Sequence, residues 1–164
     1  MTNVEISGGS SLQGGGIYVS DRGEVYISDS LIHGSGATDG GGVYLENTCT
    51  LNLDRVSFTE NAAELRGGAI YYGDGTHINS VHATFTANRA NYGSGVYIQE
   101  GSSCSKYHFN DTLFTQNVAA ISGSVYFSAS NESCSEAFGD MTSYVDNQAL
   151  YGADLASSMP VILA

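Results

Sequence analysis

Cations are the scarcest ionic groups in this chain. Five Lys and Arg stand against 17 Asp and Glu over 164 residues, a formal charge of −12. So few cations cannot neutralise a phosphate backbone, which excludes a nucleic-acid partner. Tryptophan is absent and proline occurs once, at Pro160. The longest apolar run, Met159 to Ala164, falls far short of the ~20 residues of a membrane-spanning helix. The opening MTNVEISGGSS has neither a basic stretch nor an apolar stretch, so it does not read as a secretory leader. The four histidines show no paired-ligand spacing and the acids form no calcium loop, so neither a metal nor another cofactor is expected.

Glycine, by contrast, is abundant, with 21 residues, but it follows no Gly-X-Y period, which excludes collagen. Apolar residues make up 41% of the chain, too many for a disordered acidic tail. The glycines cluster in a recurring unit of small residues, one aliphatic residue and tyrosine. The copies are Gly14-Gly15-Gly16-Ile17-Tyr18, Gly40-Gly41-Gly42-Val43-Tyr44, Gly67-Gly68-Ala69-Ile70-Tyr71, Gly93-Ser94-Gly95-Val96-Tyr97 and Ser122-Gly123-Ser124-Val125-Tyr126. A degenerate sixth is Gly152-Ala153-Asp154-Leu155-Ala156, and the aliphatic positions advance by 26, 27, 26, 29 and 30 residues. A second signature, aromatic-x-x-Asn-x-Ala, keeps the same period. It appears at Phe58/Asn61/Ala63, Phe85/Asn88/Ala90, Phe114/Asn117/Ala119 and Tyr144/Asn147/Ala149, with a weaker copy at Ile32/Ser35/Ala37.

Within each unit the apolar residues alternate, as in Val25-Tyr26-Ile27 and Leu51-Asn52-Leu53, which is a strand pattern and not a helical one. A unit of about three short strands whose equivalents recur at one place is one turn of a coil. Like strands then stack ~4.8 Å apart, as in a parallel β-helix. In that geometry Phe58, Phe85, Phe114 and Tyr144 form an interior aromatic column. Asn61, Asn88, Asn117 and Asn147 form an amide ladder that satisfies the backbone at a bend. The chain reads as one all-β domain, residues 1–164, of about five full turns of 26–30 residues. It begins in mid-pattern, which points to a mature piece or fragment of a longer protein.

GGAIY at 67–71 and FTAN at 85–88 resemble repeats of the chlamydial polymorphic outer-membrane proteins, in which GGA precedes Ile, Leu or Val and Phe lies three residues before Asn. Similar repeats occur in large surface proteins of protists and algae. The resemblance implies a right-handed, pectin-lyase-like β-helix in an extracellular or cell-surface protein with an adhesive or structural role. Right-handedness also agrees with the rule for parallel crossovers.

Three columns are candidates for function. Alternation places Tyr18, Tyr44, Tyr71, Tyr97 and Tyr126 on the outer face, where stacked rings suit sugars or a protein partner. The competing reading is a ladder that only packs on itself. The column His33, Thr59, Thr86, Thr115 and Val145 has too few threonines for a crystal-binding array and reflects β-propensity. The third column, Asp29, Arg55, His82 and Asp111, is the only hint of lyase or glycoside-hydrolase chemistry. Its competing reading is a row of turn residues with incidental ion pairs.

Cys104 and Cys134 each lie ten residues before a core aromatic, so they stack in adjacent turns within disulfide reach, and Cys49 is left over. A disulfide there favours an oxidising compartment. Asn110 and Asn131 head N-glycosylation sequons. A coil of this kind also presents unpaired edges at its ends, which favours partners or end-to-end self-association. The leading expectation is a non-catalytic, adhesin-like structural module at the cell surface, with a protein or glycan partner. The alternatives are a filament subunit and a carbohydrate-binding or carbohydrate-active protein.

Overall fold

The computed structural model describes residues 1–99, 107–128, 139 and 141–157. These residues wind into a right-handed parallel β-solenoid of about five turns, with no helix among them. The first turn holds β1 (Glu5–Ser7), β2 (Ser10–Gln13) and β3 (Ile17–Val19). Next come β4 (Glu24–His33), β5 (Gly36–Asp39) and β6 (Val43–Leu45), then β7 (Thr50–Thr59), β8 (Ala62–Arg66) and β9 (Ile70–Tyr72). The following turn has β10 (His77–Val81), β11 (Thr84–Thr86), β12 (Arg89–Tyr92) and β13 (Val96–Ile98). It is succeeded by β14 (Tyr107–Asn110), β15 (Leu113–Thr115), β16 (Val118–Ser122) and β17 (Val125–Phe127). The last strands are β18 (Ser143–Val145) and β19 (Leu155–Ser157).

Like strands of successive turns pair in parallel and build three sheets. The first contains β1-β4-β7-β11-β15-β18 with β10 and β14 alongside, the second β2-β5-β8-β12-β16, and the third β3-β6-β9-β13-β17-β19. The register is the one the repeats demand. Ile6, Ile32, Phe58, Phe85, Phe114 and Tyr144 are successive partners. So are Ile17, Val43, Ile70, Val96, Val125 and Leu155. The longer later repeats are accommodated between the third sheet and the first. Residues 99–106 connect β13 to β14, where 20–23, 46–49 and 73–76 serve earlier turns.

Left-handed backbone recurs at every corner between sheets, Asp21, Arg22, Thr48 and Gly75 supplying it between the third sheet and the first. Asp29, Arg55, His82, Asp111 and Met141 have φ of 46–71° and bend the first sheet. Short polar side chains tolerate this region best, which explains the recurrent Asp but not Arg55 or Met141. A second column, Glu60, Ala87, Gln116 and Asp146 at φ 54–55°, turns the chain towards the second sheet. The third corner uses glycines. At Gly40, φ is 66° and a Cβ would sit 2.4 Å from the Val43 carbonyl oxygen, so only glycine fits there.

The interior is a stack of like residues. Phe58, Phe85 and Phe114 are fully buried, with near-parallel rings at centroid separations of 5.0 and 4.7 Å, and Tyr144 continues the stack at 5.2 Å. Burying each such ring is worth ~1.5–3 kcal/mol, with ~0.5–1.5 kcal/mol more for aromatic contact. Ile32 fills the same place where the sequence signature is weakest.

Candidate functional site

The amide ladder is the best-organised polar feature of the coil. Asn61, Asn88 and Asn117 are completely buried. Each Oδ1 accepts from the equivalent residue one turn earlier. Asn88 Oδ1 receives the Asn61 N–H at 3.0 Å and the Asn61 Nδ2 at 3.2 Å. Each Nδ2 also donates to the carbonyl of the preceding core position, as Asn88 does to Phe58 O at 3.0 Å and Asn117 to Phe85 O at 2.8 Å. The corner backbone is thereby satisfied without water. At the start, Ser35 substitutes only with its backbone N–H, which donates to Asn61 Oδ1 at 3.1 Å. At the other end, Asn147 Nδ2 donates to Asp154 Oδ1 at 3.1 Å. Asp154 occupies the register position of Ser124, Gly95, Ala69 and Gly42. A Cβ at Gly42 would lie 3.3 Å from the carboxamide carbon of Asn61 in the following turn. The position is therefore kept small wherever another asparagine follows. Asp154 is larger and gives Asn147 Nδ2 the kind of acceptor that Asn88 gives Asn61 and Asn117 gives Asn88.

The tyrosines at 18, 44, 71, 97 and 126 stack as expected, with centroid separations of 4.6–5.5 Å. Their exposure departs from expectation. Tyr18 is 48% exposed, but Tyr71 is only 2% and Tyr97 7% exposed. The covering group is Arg66, at the end of β8, whose guanidinium lies 5.0 and 5.5 Å from the Tyr71 and Tyr97 ring centroids. Asp39, nearly buried, holds that guanidinium with two bonds of 2.8 and 2.7 Å. Burial raises the Tyr71 pKa, so the phenol keeps its proton and donates it to Gln99 Oε1. The column is thus a packed seam at its centre, with Tyr18 as its open end.

The acid–base column also assembles in register, but its members bind one another. Arg55 makes a two-pronged contact with Asp29 at 2.6 and 3.0 Å and reaches Asp54 at 2.6 Å. His82 lies between Asp54 and Asp111, at 3.5 and 3.4 Å. These groups are one-third to one-half exposed, so the row is a solvated ladder of ion pairs. The hydrogen bond from Arg55 lowers the Asp29 pKa. The His33, Thr59, Thr86, Thr115 and Val145 column is in register as well. His33 meets Glu5 at 2.9 Å.

Cys104, Cys134 and Asn131 lie outside the described residues. Cys49 is a buried free thiol whose Sγ faces the Val19 carbonyl at 3.6 Å, and burial raises its pKa. It is therefore packed and unreactive. Asn110 is exposed at the end of β14, accessible as a sequon asparagine. Among the described residues no group of three His, Cys, Asp or Glu converges to hold a metal.

One feature was not singled out from the sequence. On the outer face of the first sheet, Tyr26, Asn52, Asn79 and His108 are successive register partners. Tyr26 is 60% exposed. It ends a shallow groove of about 500 Å³ whose walls include Ser28, Asn52, Asp54, Asn79 and Val81. The alternation Val25-Tyr26-Ile27 and Leu51-Asn52-Leu53 marked these positions as outward. Tyr26 and His108 differ from Asn52 and Asn79, so no single residue type marked the whole row among the repeats.

The comparisons agree with this architecture. A family model described as the right handed beta helix region matches residues 1–135. Neither the curated proteins nor the solved structures yield a match. Parallel in-register sheets, left-handed corners and a continuous amide ladder place this chain in the right-handed β-helix family.

Proposed function

We propose that this β-helix is a non-catalytic interaction module of an extracellular or cell-surface protein, adhesive or structural in role. One observation carries the reading. Among the described residues the acid–base column Asp29-Arg55-His82-Asp111 is closed on itself by contacts of 2.6–3.5 Å. Arg55, its one permanent cation, already serves two carboxylates, which a uronate carboxylate would have to displace or share. The solenoid instead offers long, rigid faces on which neighbouring turns repeat the same spacing, a form suited to extended partners. The likeness of GGAIY and FTAN to surface-protein repeats and the sequon at exposed Asn110 support the location.

The test is to incubate the purified chain with polygalacturonate, xylan and β-glucan and follow new reducing ends and unsaturated uronides. No product above a no-protein blank is expected. Turnover that disappears in Arg55→Ala or His82→Ala would overturn the reading.

A filament subunit is the second reading, since parallel coils can stack end to end through strand backbone. Electron microscopy of concentrated protein would then show fibres with an axial repeat of ~25–30 Å, five to six turns at ~4.8 Å each.

A further inference from the structure

We infer that the step between Tyr18 and Tyr44, at the open end of the tyrosine stack, is a docking site for an arginine side chain on a basic, extended segment of a partner protein. The inference rests on the interaction-module reading above and names the face and the partner class.

The chain itself displays the recognition mode two turns further on. The Tyr71 and Tyr97 rings are 5.3 Å apart and 7° from parallel. The Arg66 guanidinium lies at nearly equal distances from both, 5.0 and 5.5 Å, so it bridges one step of the stack. Its charge is met by the two-pronged contact with Asp39. The Tyr18–Tyr44 step repeats the same ring geometry, at 5.5 Å and 10°. The register decides what stands beside it. Arg66 pairs with Asp39, and Asp39 with Gln13, so the column that supplies Arg66 supplies a neutral side chain here. Among the described residues no cation lies against Tyr18 or Tyr44. Tyr18 is accordingly 48% exposed and Tyr44 half-buried, whereas the rings beneath Arg66 are covered.

Carboxylates frame this step. Desolvation within the stack, then Glu46, then Asp21 raise the Tyr18 pKa. Burial, then Asp39, does the same for Tyr44, and Glu46 adds to it. Among the described residues Glu46 is in no ion pair, and Asp21 accepts only from Ser20 Oγ at 3.3 Å. Asp29, Asp39, Asp54 and Asp111, by contrast, each face an Arg or His of the chain. A cation arriving beside Tyr18 therefore meets two rings and a carboxylate that no cation of the described chain engages. A guanidinium suits the place better than an ammonium. It is planar, sheds water more readily, lies flat against rings and presents a fork of donors to a carboxylate. The net charge of −12 draws a basic segment towards the surface and repels an acidic one.

The test follows the tyrosine ring signals by carbon–proton NMR as hexa-arginine amide, hexalysine amide or hexacitrulline amide is added to the purified chain. Hexa-arginine should shift the Tyr18 and Tyr44 rings and bind more tightly than hexalysine. Hexacitrulline, which keeps the shape without the charge, should not bind. Tyr18→Ala and Glu46→Gln should each weaken hexa-arginine binding about two- to fivefold, the scale of one exposed cation–ring contact or ion pair. Gln13→Arg, which sets a guanidinium of the chain's own in the column of Arg66, should weaken it at least as much. Glu60→Gln makes the same charge change at the corner between the first and second sheets and should bind as the parent does. Circular dichroism on each variant separates lost contacts from lost folding, and the ring shifts of the unaltered protein need no variant. Tyr18 and Tyr44 rings that stay unmoved at saturating hexa-arginine overturn the inference. So does hexalysine or hexacitrulline binding equally well. Equal weakening by Glu60→Gln and Glu46→Gln would reduce the effect to net charge and overturn it too. None of these outcomes touches the non-catalytic reading, which falls only if a polysaccharide is cleaved.

Discussion

Replacing Asn88 by alanine should be among the most damaging single changes in the coil. Asn88 is fully buried and makes four hydrogen bonds with its carboxamide. Two recipients lose their side-chain partner, the Asn61 backbone N–H and the Phe58 carbonyl. Two others keep one. Asn61 Nδ2 still donates to Ile32 O, and Asn117 Oδ1 still accepts the Asn88 N–H. Each buried backbone group left unpaired costs ~1–3 kcal/mol, so the pair amounts to ~2–6 kcal/mol before any cavity term. A typical domain has only ~5–15 kcal/mol of stability in total. Urea denaturation followed by circular dichroism would read the loss as a lower midpoint at unchanged slope. Asn147→Ala, at the partly exposed end of the ladder, should cost less than half as much, because water can replace the lost partners. The conservative change Asn88→Asp adds a test of sign. A carboxylate there accepts from Asn61 but cannot donate to Phe58 O, and it faces Asn117 Oδ1. Its folded pKa is therefore raised above the ~3.9 of the unfolded chain. The protonated side chain should support the fold at low pH and lose that support as pH rises through the raised value. If Asn88→Ala lies within 1 kcal/mol of the parent, water reaches the corner and the sealed-ladder argument fails.

Three further changes probe the corners and the surface. Ala87 has φ 55°; a left-handed L-residue costs ~1–2 kcal/mol, against ~0.5–1 kcal/mol of extra chain entropy for glycine. Ala87→Gly should thus raise the thermal midpoint, and a lower one would show that the alanine methyl packs against something the corner needs. Asp154→Ala removes the acceptor for Asn147 Nδ2, and the loss at this exposed end should be ~0.5–1.5 kcal/mol; Asp154→Asn should recover most of it in the same melt. Because Arg55 lowers the Asp29 pKa, the stabilisation from that pair is complete above the ordinary carboxylate range and fades as pH falls through the lowered native value. A carboxyl-carbon NMR titration of Asp29 should move upward in Arg55→Ala, and an unmoved titration would mean the pair does not persist in solution.

Much of the fold was written in the chain because stacking in register makes each residue a neighbour of its own equivalents. Any residue type that recurs every 26–30 positions must then form a continuous line. The phenylalanine column, the amide ladder, the tyrosine stack and the Asp29-Arg55-His82-Asp111 row were all legible on that basis. Periodicity reports who stacks on whom but not what covers the stack. Arg66 reaches over Tyr71 and Tyr97 from a different sheet, so the burial of those rings depends on a contact between columns. The left-handed backbone at Glu60, Ala87 and Gln116 is announced only by Gly8 and Gly34, which hold the same place in the earlier turns; the geometry of the corner imposes it on whatever residue stands there. Asp154 shows the same division. Its place in a degenerate sixth repeat could be read from spacing, but its role depends on its carboxylate reaching Asn147 Nδ2 once the coil is wound. The groove at Tyr26 is walled by residues of three turns, among them Tyr26, Asn52 and Asn79, which become neighbours only when the coil is wound.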